Sequence, residues 1–178
     1  MNNDIEKILF TESELKSIAE SMGRQISADY CGKDLILLCI MKGSLVFTAD
    51  LMRAITIPIT LDFMQTSSYG SSSFSSGSID IKYNPQEKIK NRHVLIVEDI
   101  IDSGNTLSRL KPFLENLGAA DVKICALLDK PSRRIAEIKA DYIGRRIPDE
   151  FVVGYGLDYA EKYRNLPYIG ILKREIYQ

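Results

Sequence analysis

The sequence predicts an α/β protein with a mostly parallel, twisted sheet that is flanked by helices. Three apolar runs of strand length carry this prediction, at 35–41, 94–97 and 122–128. Their apolar side chains are continuous rather than alternating, which is typical of strands buried on both faces. Because helical patterns follow the first two runs, we expect parallel strands joined by right-handed crossovers. The 178 residues suit a single domain, 1–178.

Helix signals lie between the predicted strands. The first helix is predicted to begin at the capping-box pattern Thr11–Glu14. A second is predicted in LVFTADLMRAI, and a third has an apolar stripe that starts at Leu107 and ends before Gly118. Because Pro112 lies inside this third pattern, we expect a bend or a late helix start there. Shorter strands are predicted at 60–65, 79–83, near 143, at 151–153 and at 168–172.

Composition excludes several classes of function. The chain has 23 Lys and Arg against 24 Asp and Glu, a net charge of −1, and no long basic run. This gives no support for binding to nucleic acid or to a membrane surface. The three cysteines are far apart, which favours reduced thiols in a cytoplasmic protein over disulfides or a zinc site. With one histidine, His93, catalysis is expected to use carboxylates, lysines and arginines.

A serine- and glycine-rich segment at 66–78 lies between two strand patterns. Its composition gives it little apolar surface to bury. Long loops of this kind in compact domains are commonly lids, so we predict a flexible lid here. A hairpin tip without a function is the alternative that the sequence leaves open.

The most informative stretch is VLIVEDIIDSGNTL, residues 94–107. A buried strand is followed by the carboxylates Glu98 and Asp99, then by a small polar turn and a helix. The free amides of a helix N-terminus bind phosphate, and Gly104 lets the backbone approach it. The two carboxylates suit Mg²⁺ or ribose hydroxyls. The sequence therefore predicts a binding site for a phosphorylated sugar. The alternative is that Asp102 or Ser103 only caps the helix and that Glu98 and Asp99 are solvated loop charges.

Two lysines follow other predicted strands. Lys42 comes after 35–41 and Lys130 after 122–128. In open α/β sheets, ligands bind at the carboxyl ends of the strands, so both lysines are expected near the phosphate turn. Each would read as a solvated loop lysine if it stood alone.

The stretch 94–107 resembles the phosphoribosyl pyrophosphate signature of the type I phosphoribosyltransferases. Together with MKGS, the segments FMQTSSYG, LLDKPSRR and IPDEFVVGYGLDYAEKYRNLPYIG look like the bacterial hypoxanthine-guanine phosphoribosyltransferases. The resemblance runs from about Lys33 to the last residue. It implies that a 6-oxopurine reacts with phosphoribosyl pyrophosphate to give a purine nucleoside monophosphate and pyrophosphate, with Mg²⁺ as cofactor. It also implies a small hood from the N-terminal segment and about 145–178.

The resemblance assigns roles residue by residue. Asp102 matches the general base that takes the proton from purine nitrogen 7, and Glu98 and Asp99 match the pair that faces the ribose hydroxyls and their metal. The 5′-phosphate loop maps onto Asp102, Ser103, Gly104, Asn105 and Thr106. Pyrophosphate contacts map onto Lys42 and Gly43, in a loop that often has a cis peptide in the family, and separately onto Arg164. Purine contacts map onto Lys130, Phe151, Val152 and Asp158, with Asp158 also a ligand of a second Mg²⁺, and lid contacts map onto Ser68 and Tyr69.

Alternatives remain open at this point. One is a phosphoribosyl-binding regulator of RNA or DNA, which the near-neutral charge disfavours. Another is a phosphoribosyltransferase for xanthine, adenine or a pyrimidine. Residue types alone leave the choice among hypoxanthine, guanine and xanthine open. The resemblance further implies a homodimer or homotetramer.

Overall fold

The computed structural model describes residues 2–65 and 89–178. The predicted strand at 79–83 and the predicted lid, with Ser68 and Tyr69, lie outside these residues, so the lid stays a prediction. The described strands are β1 (Ile5–Phe10), β2 (Leu35–Met41), β3 (Ile59–Gln65), β4 (His93–Ile101), β5 (Asp121–Asp129), β6 (Tyr142–Arg146), β7 (Val152–Val153) and β8 (Ile169–Leu172). The helices are α1 (Glu12–Asp29), α2 (Leu45–Ala54), α3 (Asn105–Asn116) and α4 (Arg174–Tyr177).

The main sheet has five parallel strands in the order β3-β2-β4-β5-β6. Alternate residues of β2 face opposite sides of it. Leu35 and Leu37 pack with α1 and α2, whereas Ile36 and Leu38 pack with α3. Helices therefore cover both faces, and the predicted fold class is confirmed. The fully apolar sequence of β2 follows directly from this double burial.

The first and third helices show how local signals set their ends. The capping box is present: the Thr11 amide donates to Glu14 Oε2 over 2.8 Å, and the Glu14 amide donates to Thr11 Oγ1 over 3.4 Å. Helix α3 begins at Asn105 and continues through Pro112, so a late start at Pro112 is wrong. Its first turn contains polar residues, as is common where the first backbone amides of a helix have no acceptor within the helix and need a polar partner. Gly118, with a φ of +86°, follows its end as predicted.

A second, antiparallel sheet has the order β1-β8-β7. Strand β1 was not predicted, because IEKILF alternates poorly and leaves Ile8 47% exposed. Val153, Tyr163, Leu166 and Leu172 form a small separate core beside this sheet. The division of the chain into a main body and a hood stays a prediction. None of the described helices has the length and apolar character needed to cross a membrane.

Candidate active site

The two adjacent carboxylates lie inside strand β4. We expected Glu98 and Asp99 to follow the strand, but β4 continues to Ile101, so this boundary is wrong. The strand continues because β5 pairs with it to the same point, with Glu98 opposite Ala126 and Ile101 opposite Asp129. Glu98 is only 8% exposed. Both acids are therefore held by the sheet rather than by a loop.

Burial changes the acidity of these two groups. Desolvation raises the pKa of Glu98 well above its ordinary value, and the neighbouring charge of Asp99 raises it further. Desolvation also raises the pKa of Asp99 to about 6, although the Ile100 amide, 2.8 Å from Asp99 Oδ1, and Arg164 both oppose the shift. The Glu98 side chain is buried and that of Asp99 is half-buried, so further positive charge would stabilise the ionised form of both. A divalent cation would supply it.

The pKa of Asp99 predicts a pH-dependent effect of Asp99→Asn on stability. The unfolded chain loses this proton near pH 3.8 and the folded chain near pH 6. The folded state therefore binds the extra proton between these values, and stability falls as pH rises across that window. In metal-free buffer we expect Asp99→Asn to raise the free energy of unfolding by about 1–3 kcal/mol at pH values above about 6 and to have little effect near pH 4. Urea unfolding at both pH values measures it, and a difference independent of pH would contradict it.

The loop after β2 packs tightly against Asp99. The peptide bond between Met41 and Lys42 is cis. A Cβ atom on Gly43 would lie 1.7 Å from Asp99 Oδ2, and one on Gly156 would lie 2.1 Å from the Gly43 carbonyl oxygen. The loop after β2, strand β4 and the segment around Gly156 therefore meet at this point. The close contacts leave no room for a side chain at Gly43 or at Gly156.

We predict that Gly43→Ala impairs the site more than the fold. The added methyl group forces the Asp99 carboxylate out of its position, because the side chain can rotate and the sheet cannot move. For the phosphoribosyl transfer that the sequence resemblance implies, we expect kcat/KM to fall by roughly 100-fold, with a Tm change of a few degrees. Gly32→Ala is the control for backbone strain alone: no atom lies within 4 Å of a Cβ there, but the φ of +75° makes an alanine strained, so we expect a lower Tm and unchanged activity. Equal loss of activity in both variants would contradict the prediction.

A cluster of charges lies beside Gly156. Arg164 donates to the Gly156 carbonyl oxygen over 2.8 Å and pairs with Asp158 Oδ1 over 2.9 Å. Lys42 Nζ lies 3.1 Å from Glu161 Oε2, and its hydrogen bond lowers the pKa of Glu161. The structure thus brings Lys42, Arg164 and Asp158 together. Glu161 was missed because its contact with Lys42 joins distant parts of the chain.

The turn at 102–106 forms the N-terminus of α3. Gly104 precedes the helix with a φ of +80°. A Cβ atom there would lie 2.5 Å from Ile138 Cγ2, so both the backbone angle and the packing require glycine. The amides of Ile135 and Ala136 each donate to the Ser103 carbonyl oxygen over 3.0 Å. The turn is therefore anchored from outside. The first amide of the 12-residue helix, that of Asn105, makes only a long bond of 3.4 Å to Ser103 Oγ, and helix N-terminal amides can bind an anion.

Lys130 lies at the end of β5, next to this turn. Its amide donates to the Ile101 carbonyl oxygen over 3.0 Å. The residue is 7% exposed, and Nζ donates to the Glu150 carbonyl oxygen over 2.9 Å, with Asp149 Oδ1 at 3.9 Å. A buried ammonium keeps further donor capacity after that one strong bond. It can therefore recognise a carbonyl oxygen.

Phe151 and Val152 follow the backbone that Lys130 contacts. The Phe151 ring stacks on Tyr177 with a centroid distance of 4.8 Å and an interplanar angle of 25°. It also meets Tyr159 edge-on at 5.6 Å. Val152 is buried in β7. Tyr177 was missed, since nothing in its local sequence marks it as a partner of Phe151.

The predicted site residues form two neighbouring groups, one around Asp102 and Lys130 and the other around Glu98, Asp99 and Gly43. Asp102 is exposed, and Lys130 is joined to the preceding residue, Ile101, by its amide. Glu98 and Asp99 lie earlier on the same strand, with Gly43 against Asp99. Within residues 2–65 and 89–178, no three carboxylate, histidine or cysteine side chains are arranged to hold a metal ion.

Comparison with known proteins identifies the family. The model of the phosphoribosyl transferase domain matches residues 6–160. The hypoxanthine-guanine phosphoribosyltransferase of Streptococcus pneumoniae is 52% identical over 177 residues, 99% of this chain and 98% of that protein. The enzyme of the same name from Staphylococcus aureus is 46% identical over 99% of each.

Solved structures agree. A hypoxanthine phosphoribosyltransferase from Staphylococcus aureus superposes with a TM-score of 0.93 and 46% identity, covering 100% of this chain and 97% of that one. A variant of the Trypanosoma cruzi enzyme, in a ternary substrates complex, superposes with a TM-score of 0.92 and is 39% identical. The match covers 99% of this chain and 100% of that one. The chain therefore belongs to the phosphoribosyl transferase family, among its hypoxanthine-guanine phosphoribosyltransferases.

Proposed function

We propose that this chain transfers the phosphoribosyl group of phosphoribosyl pyrophosphate to hypoxanthine, guanine or both, giving IMP or GMP and pyrophosphate in purine salvage. The observation that carries the proposal is the buried Lys130 ammonium beside the helix-terminal turn 102–106, which directly follows the strand that holds Glu98 and Asp99. Initial rates of pyrophosphate release from phosphoribosyl pyrophosphate and hypoxanthine test it. Absence of release would overturn it.

The turn 102–106 is proposed to bind the 5′-phosphate. The amides at the start of α3, Ser103 and Thr106 hydroxyls and the Asn105 amide supply donors, and Gly104 gives the phosphate close access to the backbone. Asp102 is the proposed general base. Its exposed carboxylate lies at the rim of this turn, where a purine bonded to Lys130 would present nitrogen 7.

Glu98 and Asp99 are proposed to face the ribose hydroxyls, and with Asp158 to hold Mg²⁺. Desolvation raises the pKa of both carboxyl groups, and a bound cation would stabilise their ionised forms, which supports this assignment. Mg²⁺ takes few protein ligands and completes its shell with phosphate oxygens and water. When bound, it would neutralise charge on the departing pyrophosphate.

Lys42, Gly43 and Arg164 are proposed to bind pyrophosphate. Both cations are now paired, Lys42 with Glu161 and Arg164 with Asp158. The 3.1 Å pair of Lys42 and Glu161 is exposed, and exposed pairs are weak, so a pyrophosphate group can displace it.

Lys130, Phe151, Val152 and Asp158 are proposed to bind the purine. An ammonium donates but does not accept, so Lys130 bonds a 6-oxo group and leaves a 6-amino group unpaired. One face of Phe151 is backed by Tyr177, which fixes the ring for stacking of the purine on the other side.

We further propose a cytoplasmic homodimer or homotetramer. The free thiols of Cys31, Cys39 and Cys125 suit a reducing compartment. Partly exposed apolar side chains on α2 and β3 support self-association: Leu45, Val46, Met52 and Phe63. Light scattering at several protein concentrations measures the assembly. The net charge of −1 supports neither nucleic acid nor membrane as a partner.

A further inference from the structure

Arg134 donates hydrogen bonds to the backbone at Ile101 and Asp102. Its Nε donates to the Asp102 carbonyl oxygen over 3.1 Å, and its Nη2 donates to the Ile101 carbonyl oxygen over 3.3 Å. Its Nη1 donates to the Ile138 carbonyl oxygen over 2.7 Å. Its Nη2 also pairs with the Asp129 carboxylate. One guanidinium therefore ties the ends of β4 and β5 together.

The ion pair beneath these contacts is largely buried. The Arg134 side chain is 19% exposed and the Asp129 side chain 8%. A buried ion pair is poorly explained by stability alone, because desolvation offsets most of its attraction. The planar fork of arginine, however, fixes several acceptors in one geometry, which a lysine does not do. Positioning of the two carbonyl groups therefore accounts for this pair better than stabilisation does.

The Asp102 carboxylate depends on this backbone for its direction. Among the described residues, none donates a hydrogen bond to its oxygens, and the residue is exposed. The main chain of 101–102, which Arg134 holds, sets the direction of the Cα–Cβ bond and therefore the positions that the carboxylate can reach. The phosphate turn has separate support, since the amides of Ile135 and Ala136 bind the Ser103 carbonyl oxygen.

We propose that Arg134 is a positioning residue that acts through Asp102. It holds the main chain at Ile101 and Asp102 so that the Asp102 carboxylate faces the proton on nitrogen 7 of a purine bound at Lys130. The Lys130 amide donates to the same Ile101 carbonyl oxygen, so one peptide group sets both the base and the purine contact. This inference rests on the proposed function.

A double-mutant cycle tests it. We expect Arg134→Gln to lower kcat by roughly 10- to 100-fold, the cost of a misplaced catalytic group, while the Kd for phosphoribosyl pyrophosphate changes by less than about threefold. In the Asp102→Asn background, the same substitution should lower kcat by less than about threefold, because the group it positions no longer takes the proton. Arg146→Gln is the matched control. Arg146 lies 3.6 Å from the other Asp129 oxygen but is 75% exposed, and its loss should leave kcat unchanged.

The outcomes separate the claims. Equal loss of kcat in both backgrounds overturns the positioning role and leaves the proposed function intact. Unchanged turnover of Asp102→Asn alone overturns the general-base role of Asp102 and the positioning role of Arg134, whereas phosphoribosyl transfer, the proposed function, still stands. Should Arg134→Gln fold poorly, Arg134→Lys keeps the charge beside Asp129 but loses the fork, and we expect kcat to fall by about tenfold at an unchanged Tm. If Arg134→Lys lowers Tm together with kcat, the loss of kcat comes from folding, and this result overturns the inference.

Discussion

Replacing Asp102 by asparagine should lower kcat for phosphoribosyl transfer by about 10²–10⁴-fold, the usual contribution of a general base. Asparagine has nearly the same shape but does not accept the proton from the purine. The Kd for phosphoribosyl pyrophosphate should stay within about threefold, since the helix amides that meet the phosphate are unchanged. Single-turnover rates and equilibrium binding measure the two effects.

Glu137→Gln is the matched control for this substitution. Glu137 is an exposed carboxylate near the same turn, and no role is proposed for it. Its loss should leave kcat unchanged. A fall of less than about tenfold for Asp102→Asn would contradict the general-base role.

Lys130→Ala should be nearly as damaging, but through the purine. The side chain is 7% exposed and is the donor that we assign to the 6-oxo group. We expect kcat/KM for hypoxanthine to fall by roughly 10²–10³-fold, while the Kd for phosphoribosyl pyrophosphate is retained. Steady-state rates at saturating phosphoribosyl pyrophosphate measure it, and Lys139→Ala, an exposed lysine in the next segment, is the control.

The free energy of unfolding separates loss of recognition from loss of folding. Removing Lys130 leaves the Glu150 carbonyl oxygen without its donor at 2.9 Å, which should cost about 1–3 kcal/mol. A variant that loses more stability than this and binds phosphoribosyl pyrophosphate poorly would show that Lys130 serves the fold instead.

Much of the fold could be predicted because its signals are local. Strand β2 has the predicted bounds, Leu35–Met41, since a continuous apolar run is bounded by polar residues on both sides. Helix α1 begins after Thr11 because the capping box needs only residues three apart. Strand β4 differed: Glu98 and Asp99 read as loop acids, yet pairing with β5 holds them in the sheet. Tertiary pairing overrode the ordinary cost of burying a carboxylate.

The candidate site also contains residues that a local motif predicts and residues that only the tertiary structure brings together. Asp102 and Gly104 belong to one short motif and were predicted from it. Arg134 and Glu161 were not, since their contacts with Ile101 and Lys42 join residues 33 and 119 positions apart. Local patterns carry no information about such pairs. Only the fold brings them together.

The choice of purine tests the central claim most directly. With phosphoribosyl pyrophosphate and Mg²⁺ saturating, kcat/KM should be measured for hypoxanthine, guanine, xanthine and adenine in one series. The buried Lys130 ammonium, which only donates, predicts that hypoxanthine or guanine is preferred over adenine by a factor on the order of 10⁴. Adenine used as well as hypoxanthine would contradict the account.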